Sequence, residues 1–250
     1  MQVVGYDAAD GHLLVSDADG DVEALALDPG TDLDYRLGER RCAGTIHEGR
    51  HVACDAPDAP YCRDHRRTWV CARCTGTCLK DEMDCDEEHA VYLAAFAPDV
   101  VKVGVTRLWR LETRLREQGA DRAAHVRTVA DGRIAREIEA GLAADFDITD
   151  RVRVPVKRRG LHRSVDEAAW NSALDSFDPI DAFAFDYGLD LSERPIAETL
   201  ATGTVRGTKG RLLVLETGGT TYAVDVRDLV GYDVEPGGTT RSLQSNLGAF

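Results

Sequence analysis

All seven cysteines of this 250-residue chain fall between Cys42 and Cys85. They read Cys42-x11-Cys54-x7-Cys62-x2-His65, then Cys71-x2-Cys74-x3-Cys78-x6-Cys85. The stretch is too polar and too short to fold around an apolar core, so its ligating side chains must supply the cross-links. Ligands two residues apart let one tight turn present both to a metal. With His65 the seven thiols make eight ligands, enough for two closed tetrahedral zinc sites. The first uses Cys42, Cys54, Cys62 and His65; the second uses Cys71, Cys74, Cys78 and Cys85. An odd cysteine count without an export signal argues against disulfides. One zinc with three incidental thiols, or an iron–sulfur cluster on the second quartet, are the competing arrangements. His47 or His51 stands near enough in sequence to replace Cys42 or His65. A full ligand set leaves no position for water, so zinc here is expected to be structural.

Charge is distributed unevenly. Acidic residues outnumber basic ones 44 to 30, and only four of the bases are lysine. An aspartate-rich, lysine-poor surface suits a salt-filled, halophilic cytoplasm, because salt screens self-repulsion and carboxylates hold water. Residues 1–35 carry nine acids and no base, whereas 101–163 carry fifteen bases against nine acids. This one basic segment in an acidic chain is the charge evidence for an anionic partner. No apolar run of about 18 residues exists and no export signal is evident. The expectation is a cytoplasmic protein with no membrane segment.

Taken in order, residues 1–30 form a β unit, with Gly11–Val15 and Val22–Leu27 as a hairpin around Asp17–Gly20. A similar hairpin recurs at Gly210–Val214 and Tyr222–Val226, and the two align without a gap from Gly11–Leu27 to Gly210–Val226. Two such hairpins are expected to pack together, since one alone is marginal. Residues 31–41 read as a link to the cysteine cluster. Beyond it, Val91–Phe96 and Val100–Val105 suggest a second hairpin. Leu108, Leu111 and Leu115 mark a helix ending at Gly119, and Val126–Val129 a further strand. Ile134, Ile138, Leu142 and Phe146 mark a second helix. Residues 151–163 hold six bases and no acid; they read as a solvated loop or a phosphate-contacting arm.

From Val91 to Phe146 the order strand, strand, helix, strand, helix carries Ala90-Val91-Tyr92, Lys102-Val103-Gly104-Val105-Thr106, Arg114-Leu115-Arg116 and Glu139-Ala140-Gly141-Leu142. These motifs resemble the GIY-YIG nuclease superfamily, in particular a branch whose second motif reads Lys-Ile-Gly-x-Thr. The resemblance implies that Tyr92 orients the attacking water, Arg114 stabilises the pentavalent phosphate, and Glu139, with Glu137 as fallback, holds Mg²⁺ or Mn²⁺. Lys102 stands where that family's second tyrosine would be and contacts phosphate. The second tyrosine and the catalytic asparagine are missing, and the spacing from Gly104 to Arg114 is longer than the family's. The whole chain also resembles an archaeal and bacterial family defined as a domain of unknown function. That likeness rests on the cysteine cluster, Lys102–Thr106, Gln118-Gly119-Ala120 and Gly207-Thr208-Lys209-Gly210.

The expected fold is α+β: a zinc-knuckle region and a small GIY-YIG-like α/β core with flanking β segments. Its divisions are 1–35 (β unit), 36–88 (two zinc sites), 89–163 (core and basic segment) and 164–250 (helical piece and β unit packing with 1–35). The expected function is nucleic-acid binding, DNA or RNA, through Arg107, Arg110, Arg116, Arg158 and Arg159, with metal-dependent endonuclease activity at Tyr92, Lys102, Arg114 and Glu139. The alternatives are a non-catalytic zinc-stabilised nucleic-acid or ribonucleoprotein-binding module, and a protein-interaction adaptor.

Overall fold

A computed structural model describes residues 1–66, 86–239 and 243. The chain is a mixed α+β protein made of two units: Met1–Arg67 with Tyr187–Phe250, and Thr68–Asp186. The first unit opens with β1 (Gln2–Asp7), β2 (His12–Ser16), β3 (Val22–Ala26) and β4 (Asp32–Arg40), followed by a small hairpin of β5 (Thr45–His47) and β6 (Arg50–Val52). The second holds β7 (His89–Phe96), β8 (Val100–Arg107), a 3-10 turn at Leu108–Arg110, α1 (Leu111–Gln118), β9 (Arg122–Val129), α2 (Gly132–Asp145), α3 (Val154–Arg159), α4 (Glu167–Leu174) and β10 (Asp181–Ala184). The chain then completes the first unit with β11 (Ile196–Ala197), β12 (Ala201–Lys209), β13 (Leu212–Thr217), β14 (Thr220–Asp225), α5 (Val226–Leu229) and β15 (Tyr232–Pro236). Among the described residues no helix is long and apolar enough to cross a membrane.

In the first unit nine strands form one sheet in the order β11-β14-β13-β12-β4-β15-β1-β2-β3. Two antiparallel meanders, β1-β2-β3 and β12-β13-β14, are related by an approximate two-fold exchange. The strand after each meander pairs with the first strand of the other: β4 with β12, and β15 with β1. β4 and β15 then pair with each other at the centre. Residues 32–40, read from sequence as a link, are therefore a central strand. They escaped notice because their polar positions alternate with only a few apolar ones, Leu33 and Leu37 among them.

Matching detail supports the exchange. Both first strands bulge at a glycine, between Val3 and Gly5 and between Val205 and Gly207. The Gly30 N–H donates to Val205 O and the Gly231 N–H donates to Val3 O, each at 2.8 Å. The core joins Val3, Leu13 and Val15 to Val205, Leu213 and Leu215. Val3 pairs with Val15, and Val205 with Leu215, so Leu13 corresponds to Leu213 and Val15 to Leu215. The gapless alignment is thus one residue out of register along β2 and β13. A strand slipped by one turns its side chains to the other face, so the ladder register and the shared core decide the correspondence. The second hairpin simply turns with one residue fewer.

In the second unit the sheet order is β10-β9-β7-β8, all antiparallel, with β7 inside. Every β7 residue is buried, as expected of a continuous apolar run covered on both faces. On one face Val91, Leu93, Ala95 and Val103 pack with Ala135 of α2 and Trp170 of α4. The other face carries Tyr92 and Phe96, reached by Gln118 at the end of α1 and by Lys157 of α3. α1 ends at Gly119, left-handed at φ 68°, where the Ala120 N–H returns to Leu115 O. α2 begins at Asp131, whose carboxylate accepts the Ile134 N–H at 2.8 Å. Phe146 lies just past α2, 41% exposed and against Phe177, so it is not on the helix's buried face.

The basic run 151–163 is not a free arm. It contains α3, with Pro155 in its first turn and Gly160 at its end. A Cβ on Gly160 would lie 1.8 Å from Ala97 O, so only glycine lets the helix end settle on that carbonyl. Residues 164–186 belong with this unit, because β10 extends its sheet and Trp170 enters its core.

Gly30 and Gly231 offer a test of the exchange. Both have positive φ, 89° and 95°, but a Cβ on Gly30 meets nothing within 4 Å while one on Gly231 lies 2.2 Å from Arg41 O. Gly30→Ala should cost roughly 1–2 kcal/mol from the left-handed backbone alone. Gly231→Ala should cost at least about 2 kcal/mol more, because backbone must move. Hydrogen exchange of β1 and β15 amides measures both; equal losses would refute the account.

Candidate functional site

Two chemistry-bearing clusters stand out, one in each unit. In the first unit Cys42, Cys54, Cys62 and His65 converge, their ligand atoms all within 4.8 Å of one another. Cys42 follows directly from β4, and the chain returns to it through backbone bonds from Cys42 N–H to Ala56 O and from Ala43 N–H to Pro60 O. A tight turn at Cys62–His65, closed by Arg66 N–H to Cys62 O, brings the last two ligands together. Gln2, buried in β1, donates through Nε2 to Cys42 O at 3.4 Å and to Gly231 O at 3.1 Å. The cluster is thereby seated on the central strands of the sheet.

Its geometry fits zinc. His65 Nδ1 lies 3.4 Å from Cys42 Sγ and 3.3 Å from Cys62 Sγ. Zinc–sulfur bonds of about 2.3 Å and a zinc–nitrogen bond of about 2.0 Å give a tetrahedral edge of roughly 3.5 Å. The Gly44 and Cys62 N–H groups both donate to Cys42 Sγ, at 3.4 and 3.3 Å, as suits a thiolate. A Cβ on Gly44, at φ 60°, would lie 2.0 Å from Val52 O, so this turn requires glycine. The His65 N–H, then the His65 ring, the Asp64 N–H and Cys42, hold the Cys62 thiol down at about 7. Cys54 departs upward: the Ala56 N–H lowers it, but burial and the neighbouring Cys42 and Cys62 sulfurs outweigh that. The three thiols are unpaired. The cluster can therefore bind one zinc ion.

Neither alternative histidine joins it. His51 Nε2 is 3.0 Å from Ala43 O, and His47 is exposed at the end of the β5–β6 hairpin. The second quartet, Cys71, Cys74, Cys78 and Cys85, lies outside the described residues.

In the second unit Tyr92, Lys102, Gly104, Arg114 and Gln118 meet on the covered face of β7 and β8. Tyr92 is 1% exposed, and its hydroxyl accepts the Gln118 amide at 2.6 Å. Gly104 is directly opposite in the ladder. A Cβ there would lie 2.5 Å from Tyr92 Cζ, so the phenol ring occupies the space a side chain would need. This gives the glycine of Lys102-Val103-Gly104 its physical reason. Lys102 is 8% exposed, with Nζ 5.8 Å from the Tyr92 ring centre. Among the described residues no carboxylate pairs with it. Burial would lower the Arg114 guanidinium, but Tyr92 and Glu117 outweigh this and raise it above its ordinary value. Lys157 Nζ donates to Gln118 O at 2.6 Å, which ties α3 to the same residue that holds Tyr92.

The remaining expected site residues are distributed differently. Glu139 is 8% exposed on α2, and its carboxylate accepts Arg136 Nη1 at 2.6 Å. α2 supplies Ala135 to the face of the sheet opposite Tyr92, and no bond among the described residues joins Glu139 to Tyr92, Lys102 or Arg114. Glu137 pairs with Arg133 on the surface. Arg107, Arg110 and Arg116 are bound by Glu87, Glu117 and Glu112. Arg159 is exposed, whereas Arg158 Nε is enclosed without a partner. Sequence reasoning missed Gln118 as part of this cluster and Gln2 as the anchor of Cys42. No motif marks Gln2, and Gln118 stood only in the Gln118-Gly119-Ala120 motif of the family resemblance with no role attached, since each acts across a long sequence separation.

Two measurements check these sites. Cys54→Ala and Cys62→Ala should each lose one equivalent of bound zinc per chain by metal analysis, whereas His47→Ala and His51→Ala should lose none. Gly104→Ala should destabilise the second unit by about 1–3 kcal/mol through overpacking. An unchanged Tyr92 environment by NMR in that variant would contradict the close approach described above.

Comparison with known proteins comes to one family. No curated protein and no solved structure matches the chain. The model of the family described as "Protein of unknown function (DUF2797)" matches residues 39–180. The match runs from the end of β4 through the Cys42–His65 cluster and the Tyr92 face to the edge of β10. With more than half of its length matched, the chain belongs to the DUF2797 family.

Proposed function

We propose that this zinc-binding protein binds the phosphodiester backbone of a nucleic acid at the Tyr92–Lys102–Arg114 face. The observation that carries the reading is Lys102, a lysine 8% exposed with no carboxylate partner among the described residues. A buried cation without a counter-ion is costly, and an anionic ligand would compensate it. Arg114 adds a fork suited to phosphate oxygens, and Gln118 holds the Tyr92 hydroxyl in place. The order of strands and helices around Tyr92 accords with the GIY-YIG resemblance noted from sequence. Zinc at Cys42–His65 is structural in this reading, and the second quartet would hold a second ion.

Cleavage is the second reading, and Glu139 is its specific support. A carboxylate buried to 8% exposure on α2 is unusual, and Mg²⁺ or Mn²⁺ would replace Arg136 as its partner. The separation of Glu139 from the Tyr92 cluster ranks binding first.

The test is binding of DNA and RNA across a KCl series, with Mg²⁺ or Mn²⁺ present. Lys102→Met and Arg114→Ala should each weaken binding, and each should reduce the slope of log affinity against log salt by about one. Unchanged affinity in both variants would sink the proposal. Metal-dependent cleavage abolished by Glu139→Gln would make the protein an endonuclease; binding unaffected by that change would leave it a recognition module.

A further inference from the structure

Trp109 is 70% exposed, the largest exposure among the large apolar side chains described. An indole left in water forgoes a large area of burial, and Trp is enriched at interfaces because its apolar ring carries a polar N–H. Trp109 sits in the 3-10 turn that leads directly into α1, the helix that bears Arg114 and Gln118. At helical rise the Cα atoms of Trp109 and Arg114 are on the order of 8 Å apart along the axis. The ring is also held. Its Nε1–H donates to Glu87 Oε2 at 3.2 Å, the oxygen that also accepts Arg107 Nε at 3.1 Å. Arg110 stands 5.9 Å from the ring centre. A fixed, exposed aromatic plane is the platform on which an unpaired base stacks, and the Arg110 guanidinium beside it adds a cation–π contribution. The charge of the segment points the same way, since 101–163 is the basic stretch of an otherwise acidic chain.

We infer that Trp109 is a base-stacking subsite, so that the nucleic acid taken at the Tyr92 face is single-stranded or presents an unpaired base there. The inference rests on the phosphate-binding reading and adds the class of ligand. Stacking uses the π-face that every base offers, so the subsite favours unpaired bases without choosing among them.

The experiment uses the full chain and three probes: a single-stranded oligonucleotide, an abasic strand of equal length and charge, and a duplex of equal length. Wild type should bind the base-bearing strand roughly tenfold tighter than the abasic strand. Trp109→Leu should abolish that difference while leaving abasic binding unchanged, and Trp109→Phe should retain most of it. Preference for the duplex, or discrimination undiminished in Trp109→Leu, overturns the inference; the indole then serves another contact, such as a protein surface. Lys102→Met and Arg114→Ala read the phosphate site separately, through the abasic strand. Loss of abasic binding in those variants with no Trp109 effect would overturn the stacking subsite alone. Abasic binding that both variants leave unchanged would overturn the phosphate reading on which it rests, as would no binding of any probe.

Discussion

The central pairing of β4 with β15 is the constraint on which the first unit depends. It joins strands almost two hundred residues apart, with Val234 opposite Leu37 and Glu235 opposite Arg36. Each is also the strand that crosses to the other meander, so this pair couples the two halves of one core. Losing it would split the sheet into β11-β14-β13-β12-β4 and β15-β1-β2-β3, and the core that the two parts share would lose its cover. The long separation of partners carries a loop-closure cost, but that cost grows only slowly with length. An entire second unit can therefore be inserted in sequence between β4 and β12 without destabilising the sheet.

The metal cluster is placed by the same pairing. Cys42 lies two residues beyond β4, where the Arg41 N–H bonds Gly231 O and the Gln2 amide bonds both Gly231 O and Cys42 O. The first ligand is thus fixed by the sheet before any metal is considered. Cys54, Cys62 and His65 are brought to it by a loop that buries little besides Ala43, Gly44 and Cys62, with Cys54 and His65 half-buried. Metal binding and folding of that loop are consequently one process, because no preformed site exists without its closure. The sheet fixes the first ligand, and a bound zinc ion would hold the other three.

How much of this was legible in sequence depended on how local the signal was. Cysteine and histidine spacing picked out the four converging ligands, because a ligand pair two residues apart has meaning within a single turn. The β7–β8 hairpin and α1 were readable from apolar runs and from Leu111, Leu115 and Gly119. β4 was not, because a strand paired on both sides by distant partners needs little apolar signal of its own. The repeated hairpin was visible, but its register was not: Leu13 resembles Leu212 by position and corresponds to Leu213 by strand pairing and shared core. Tyr92 and Arg114 were named by resemblance, whereas Gln118, quoted only within a family motif, gained its contact to Tyr92 when α1 was laid on the sheet. Glu139 followed its motif onto α2 and, with it, onto the helix that covers the opposite face.

The basic segment shows why charge counting and site finding differ. Arg107, Arg110, Arg114, Arg116, Arg122, Arg133 and Arg136 each have a carboxylate within ion-pair distance. Most of these pairs are solvent-exposed, so each is worth little and is screened further by salt. A ligand gains little by displacing carboxylates from the exposed pairs, whereas Arg114 also stands beside the Tyr92 phenol, as does Lys102. Lys102 differs in kind, since burial has already removed its water and no described carboxylate has replaced it. In concentrated salt the exposed arginines lose most of their pull on a phosphate, while a buried cation beside a fixed phenol is screened much less. The excess positive charge therefore marks the region, and the desolvated lysine marks the point at which an anion gains most by binding.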